Sequence, residues 1–234
     1  MKKNILLTIL CVMLILALAA CGSDSTTSSG SGGSNAPPSD LPEIPVEDFK
    51  YRYDAETEGI VIEEYIGTSI SVQIPDKFED MPVTRIGDGA FRDRDGLTSI
   101  VIPDSVTSIG AGAFSNCVGL TEITLPNSVT TIGNAAFSNV GLTEITLPNS
   151  VTTIGDAVFF SCEGLLSIEI PSGVTVIGKG AFSACRGLTD ITLPDSVTEI
   201  GEDAFASSTN IIVSYKGATY DYSRIDDLYK AINN

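Results

Sequence analysis

The sequence predicts a repeat solenoid, a stack of strand-dominated coils with short helical turns and a cap at each end. Three observations predict it. The string I-G-x-x-A-F recurs from Ile86, Ile109, Ile132, Ile154, Ile177 and Ile200, in steps of 23, 23, 22, 23 and 23 residues, with Val158 replacing Ala once. A period in the twenties is that of a unit forming one coil of a stack. Between the copies runs a second string, L-T-x-I-x-L-P, whose second half alternates apolar and polar residues as a strand with one buried face does. The apolar positions of both strings cannot be buried by a lone coil, so the unit is stable only as an array.

The first element is a leader, residues 1–21. Lys2 and Lys3 give it a positive start, and the apolar run Ile5 to Ala20 ends in small residues, the layout of a secretory signal peptide. That run has 16 residues, short of the roughly 20 that a spanning helix needs. Leu18-Ala19-Ala20-Cys21 resembles the lipobox of bacterial lipoproteins. The resemblance implies that Cys21 is lipidated and becomes the new N-terminus, which places the chain outside the cytoplasm, anchored by lipid to a bacterial membrane or cell surface. Ordinary secretion with cleavage nearby, or an uncleaved anchor, is the alternative.

Residues 22–45 follow as a tether. They are rich in Ser, Gly, Thr and Pro and carry too few large apolar side chains to bury a core. The Gly/Ser part reads as flexible and Ala36-Pro37-Pro38 as stiffer. Residues 46–85 read as an N-terminal cap or degenerate repeat, with Ile60-Val61-Ile62 and Ser71-Val72-Gln73-Ile74-Pro75 as its strand pair.

Residues 86–199 hold five full units. In the strand of one unit Ile123 and Leu125 point inward while Glu122 and Thr124 point out. Pro126 ends it, where a missing N–H costs little, and the Asn that follows starts a turn. Val129, Ile132 and Phe137 bring the chain back to the core, with A-F in a short helical turn. The Gly after each Ile marks a special backbone conformation or a close approach. Stacking aligns Phe91, Phe114, Phe137, Phe159, Phe182 and Phe205 in one aromatic row, each worth roughly 1.5–3 kcal/mol on burial. The unit after Phe137 is one residue short at Ser138-Asn139-Val140-Gly141, which predicts a local loop shortening. Residues 200–234 read as a C-terminal cap with a short helix. Its tyrosines, Tyr215, Tyr220, Tyr222 and Tyr229, serve either that cap or a binding patch.

Together, L-x-x-I-x-L-P and V-x-x-I-G-x-x-A-F-x-x-C resemble the BspA-type leucine-rich repeat of bacterial surface proteins. The resemblance covers about Ile60 to Tyr215. It implies a right-handed leucine-rich-repeat coil stack and a role in adhesion, to host matrix proteins or to other cells. The family has no shared catalytic motif to carry over.

Composition narrows the function classes. The chain has 13 Lys+Arg, 30 Asp+Glu and no His, a formal net charge of −17. Loss of Lys2 and Lys3 with the leader leaves 11 against 30, a formal −19. Such a surface repels nucleic acid, whose binding needs clustered cations. Without His there is no Ser-His or Cys-His nucleophile pair and no HExxH zinc site. A carboxylate-pair hydrolase needs a cleft, and the regular repeat surface predicts none. We therefore expect no enzyme and no cofactor. Cys117, Cys162 and Cys185 share one slot, three residues after the Phe, and read as small buried side chains. Cys162 and Cys185 are close enough in neighbouring coils to bridge, but their parallel direction disfavours it. No cysteine spacing fits zinc, and Asp93-Arg94-Asp95-Gly96 opens like a calcium loop but lacks the later ligands, so no metal is expected.

The remaining candidate is the outward strand face: Glu122, Thr124, Glu144, Thr146, Glu169, Asp190 and Thr192. In register, Glu122 and Glu144 become neighbours whose repulsion a basic partner or a cation relieves. The expected partner is an extracellular protein, with a host matrix protein one possibility, or a glycan, beside the membrane reached through the lipid. A solvated acidic face on a spacer protein without a specific ligand is the alternative, as is a carbohydrate-binding module.

Overall fold

The computed structural model describes residues 45–233; the leader, Cys21 and the tether up to residue 44 lie outside the described residues. At the N-terminal end come β1 (Phe49–Asp54), β2 (Gly59–Tyr65), β3 (Ser71–Gln73), β4 (Lys77–Phe78) and β5 (Met81–Ile86). Then each coil supplies one strand to each of two files. Coil one holds β6 (Ser99–Val101) and β7 (Ser108–Ile109), and coil two holds β8 (Glu122–Thr124) and β9 (Thr131–Ile132). Coil three has β10 (Glu144–Thr146) and β11 (Thr153–Ile154), coil four β12 (Ser167–Glu169) and β13 (Val176–Ile177), and coil five β14 (Asp190–Thr192) and β15 (Glu199–Ile200). The chain closes with β16 (Ile212–Tyr215), β17 (Ala218–Asp221) and α1 (Ile225–Asn233).

The three-residue strands are exposed–buried–exposed from β8 to β14, as alternation predicts. Neighbouring coils pair in parallel with like residues opposite, for example Ile100 with Ile123 and Ile154 with Ile177. Phe91 to Phe205 stack in one buried column with ring centroids 5.2–5.8 Å apart and planes within 17°. Tyr65 extends that column by one ring, 5.4 Å from Phe91. It stands 26 residues before Phe91 and outside any I-G-x-x-A string, so the period does not reveal it.

The A-F segment is not the helical turn that the sequence suggests. It is a pair of linked turns, with left-handed backbone at the fourth and eighth residues of each I-G-x-x-A-F-x-x unit. Gly112 and Asn116 have φ of 58° and 63°, and Ala157 and Ser161 have 54° and 56°. The reason lies in the hydrogen bonds. A helix would use every N–H inside the segment. Here Ala90 N and Arg92 N close local turns on Gly87 O and Gly89 O, while Gly89 N, Phe91 N and Asp93 N donate forward to Ala111 O, Ala113 O and Ser115 O of the next coil. Alternate N–H groups are thereby freed for stacking. All of these forward bonds point toward the C-terminal end.

The invariant Gly is explained by approach rather than by conformation. A Cβ on Gly178 would lie 2.5 Å from Gly155 C and 2.6 Å from Asp156 N, and on Gly201 it would lie 2.5 Å from Lys179 N. The backbone of one coil passes against the backbone of the last.

In the cysteine slot the thiols are polar partners as well as small buried groups. Cys117 Sγ donates to Phe91 O at 2.9 Å, Cys162 to Phe137 O at 3.0 Å and Cys185 to Phe159 O at 3.0 Å. Ser208 Oγ does the same to Phe182 O at 2.7 Å, and the Arg94 guanidinium does so to Tyr65 O. All three cysteines are free and fully buried. Burial pushes the Cys117 and Cys162 thiols up from 9.0 to about 11 and raises Cys185 further.

Both ends are closed. β1 lies antiparallel on β2, and β17 lies antiparallel on β16. The C-terminal tyrosines are structural. Phe205 N and Ser207 N, which would donate to a further coil, donate instead to Tyr229 Oη and Tyr222 Oη, each at 3.1 Å. Tyr215 Oη donates to Val197 O at 2.8 Å, and Tyr220 is buried. Asn233 copies a strand: its Oδ1 accepts from Ile200 N and its Nδ2 donates to Ile200 O, both at 2.9 Å.

Candidate binding face

The outward file is where side chains project from a rigid support. The inner residue of each strand, such as Ile145 or Ile191, is locked in the core, which fixes its two neighbours outward. The predicted residues therefore lie on one face. Glu122, Thr124, Glu144, Thr146 and Glu169 line one groove of about 830 Å³. Glu169, Asp190 and Thr192 line an adjoining one of about 490 Å³. Neither groove has a Lys or Arg in its lining. Among the described residues, no ion pair involves Glu122, Glu144, Glu169 or Asp190. Asp190 accepts one hydrogen bond, from Thr189 Oγ1 at 2.9 Å.

Two expectations about this face are corrected. The repeat surface is not free of clefts, because the outward file is interrupted twice. Its strands form the sets β3-β6-β8, β10-β12 and β14-β16-β17. The larger groove sits at the first interruption and the smaller at the second. For the same reason Glu122 and Glu144 are not ladder partners. Glu122 pairs with Ser99, and Glu144 with Ser167. The cause of the first interruption is the one-residue shortening at Ser138–Gly141, which delivers the chain into β10 without the turn that precedes β8. The groove also draws in residues that the sequence assigned only to turns or left unassigned: Asn127, Asn149, Thr121 and Thr143. The 22-residue step was the signal that could have found them.

The lining can donate and accept hydrogen bonds through Thr and Asn and can attract basic groups through Glu and Asp. It has no aromatic ring for stacking. Elsewhere, Asp93 accepts from Asn116 Nδ2 at 2.7 Å as one rung of a side-chain ladder.

Comparison with known proteins decides the family. The profile of the BspA type leucine rich repeat region matches residues 84–212 in 6 copies. The chain belongs to the BspA-type leucine-rich repeat family. Among solved structures, a leucine rich repeat protein of T. pallidum is 33% identical, with a TM-score of 0.71 over 75% of this chain and 82% of that one. A leucine rich cell surface protein of Faecalibacterium prausnitzii A2-165 is 30% identical (TM-score 0.58, 79% of this chain and 57% of that one). A leucine-rich repeat protein of Bacteroides ovatus is 28% identical (TM-score 0.55, 73% and 52%). No curated protein matches the chain. BspA-type solenoids are in general scaffolds for binding rather than enzymes.

Proposed function

We propose that this chain is a lipid-anchored surface protein whose outward strand face binds an extracellular protein through that protein's lysines and arginines. The observation that carries the reading is the convergence of Glu122, Glu144, Glu169 and Asp190, none in an ion pair, on two adjoining grooves without a basic residue. Unpaired acids on a rigid face create a field that speeds the approach of a basic partner. A basic partner would also relieve their mutual repulsion. The lack of an aromatic platform favours a protein over a glycan. Anchorage rests on the lipobox-like Leu18-Ala19-Ala20-Cys21. The cell-surface description of the F. prausnitzii relative agrees with that location. Adhesion, to host matrix or to another cell, is the role this arrangement serves.

The test is capture of purified matrix proteins beside a glycan array, repeated with Glu122, Glu144, Glu169 and Asp190 all changed to Lys. Capture that weakens with salt and disappears in the variant is the expected result. Capture unchanged by the variant sinks the acidic face as the contact. Silence in both assays favours a spacer, and signal on the array alone favours a carbohydrate-binding module.

A further inference from the structure

We propose that the solenoid is divided into two cooperative blocks that open independently, parted at the junction between coils two and three. The inference stands apart from the identity of any partner. It begins from hydrogen bonds that recur at every other coil boundary of the short-strand file. Gly110 N, Gly133 N, Gly178 N and Gly201 N each donate to the Ile carbonyl of the coil before, at 2.7–2.8 Å. Thr107 N, Thr130 N, Thr175 N and Thr198 N likewise donate to the preceding Thr carbonyl at 2.9 Å. Among the described residues, Gly155 and Thr152 make neither bond, and no pairing joins β9 to β11.

The same boundary is open on the outward file, where no pairing joins β8 to β10. The second break in that file, between β12 and β14, is different, because β13 and β15 remain paired behind it. Among the described residues, only the boundary between coils two and three lacks both ladders. It retains the turn bonds Ala135 N to Asp156 O, Phe137 N to Val158 O and Asn139 N to Phe160 O at 2.7–3.0 Å, a long Gly141 N to Cys117 O bond at 3.4 Å, and the side-chain bonds Asp156 N to Asn134 Oδ1 at 3.0 Å and Ser150 Oγ to Asn127 O at 3.1 Å. The Phe137–Phe159 ring separation there, 5.8 Å, is the widest in the phenylalanine column. In the short-strand slot beside it Ile132 is 7% exposed, against 0% for Ile109 and Ile177.

The origin is in the sequence. Each step is 23 residues except the one spanning this boundary, which is 22. Losing one residue at Ser138–Gly141 leaves the turn column in register and removes ladder pairing from both strand files, although their strands stay adjacent. In a stack, stability passes from coil to coil through nearest-neighbour interfaces, so a weak interface limits how far a disturbance travels. The groove of about 830 Å³ lies on that line and changes width when the blocks part.

Hydrogen exchange resolved by segment, on the full chain, tests this. Phe182→Ala loosens coil four, inside the C-terminal block. We expect it to accelerate exchange of Phe159 and Ile177 amides at least tenfold and to leave Ile86 and Ile109 amides unchanged. One residue inserted between Val140 and Gly141 restores the 23-residue step. In that background Phe182→Ala should accelerate both sets. Equal acceleration of both sets in the native-length chain overturns the proposal. If Phe182→Ala does not fold, Phe182→Leu supplies the milder disturbance and is read in the same way.

Discussion

The inner column of rings and the outer file of strands belong to the same coils, yet one runs unbroken from Tyr65 to Phe205 and the other is cut twice. The difference teaches what the repeat enforces. A ring column must stay in contact at every step, because a gap inside loses dispersion contacts that nothing replaces. A break in the outer ladder exposes N–H and C=O groups that water can satisfy, so it costs much less. The inside therefore fixes the period, and the outside can absorb a missing residue and gain a groove.

Changes aimed at the inside should cost most. Phe159→Ala removes a fully buried ring at the centre of the column and should destabilise by roughly 3–5 kcal/mol, read as a fall in the urea midpoint. The thiol slot comes next. Because burial raises the Cys117 and Cys162 thiols from 9.0 to about 11, the folded state holds their protons after the unfolded chain has released them. Their contribution is whole below pH 9 and is lost as pH rises to about 11, up to roughly 2–3 kcal/mol for each thiol. Cys162→Val, which copies Val140 in the same slot, should flatten its share of that alkaline loss; an unchanged slope from pH 9 to 11 would contradict the assignment.

Gly178→Ala tests the approach of backbone to backbone. It should cost roughly 1–3 kcal/mol, since the added carbon meets main chain at Gly155 C and Asp156 N, which cannot turn away, besides the Asp156 carboxylate. Ala157→Gly runs in the opposite direction. Relief of a left-handed alanine should raise the melting temperature, by about 1 kcal/mol of stability. Smallest of all is Glu144→Gln on the outer face, where stability should move by no more than about 0.5 kcal/mol. A loss there comparable to that of Phe159→Ala would erase the distinction between inside and outside.

How much of this was legible follows the same division. Ile86, Phe91 and their equivalents could be placed because contact between identical residues writes a strict period into the chain. Tyr65 escaped because the coil that carries it ends in the β4–β5 hairpin, which breaks the spacing. The outward residues were assigned to the correct face by alternation, but their neighbours were not, since pairing between coils depends on a turn that one missing residue removes. The A-F segment was misjudged for a subtler reason. Left-handed positions are held by Gly89 and Gly112 but also by Ala135, Asp203 and Ser207, so no single residue type announces them.

The forward direction of the turn bonds has a consequence for self-association. A stack whose turn donors all face forward, while its short-strand file donates backward, has unlike ends, and unlike ends fit head to tail. Such contacts do not close on themselves; they propagate into fibres. Placing Tyr222, Tyr229 and Asn233 over the donors and acceptors of the last coil removes the surface on which a second molecule would continue the first. With β17 laid on β16, these three side chains close the C-terminal end against head-to-tail growth.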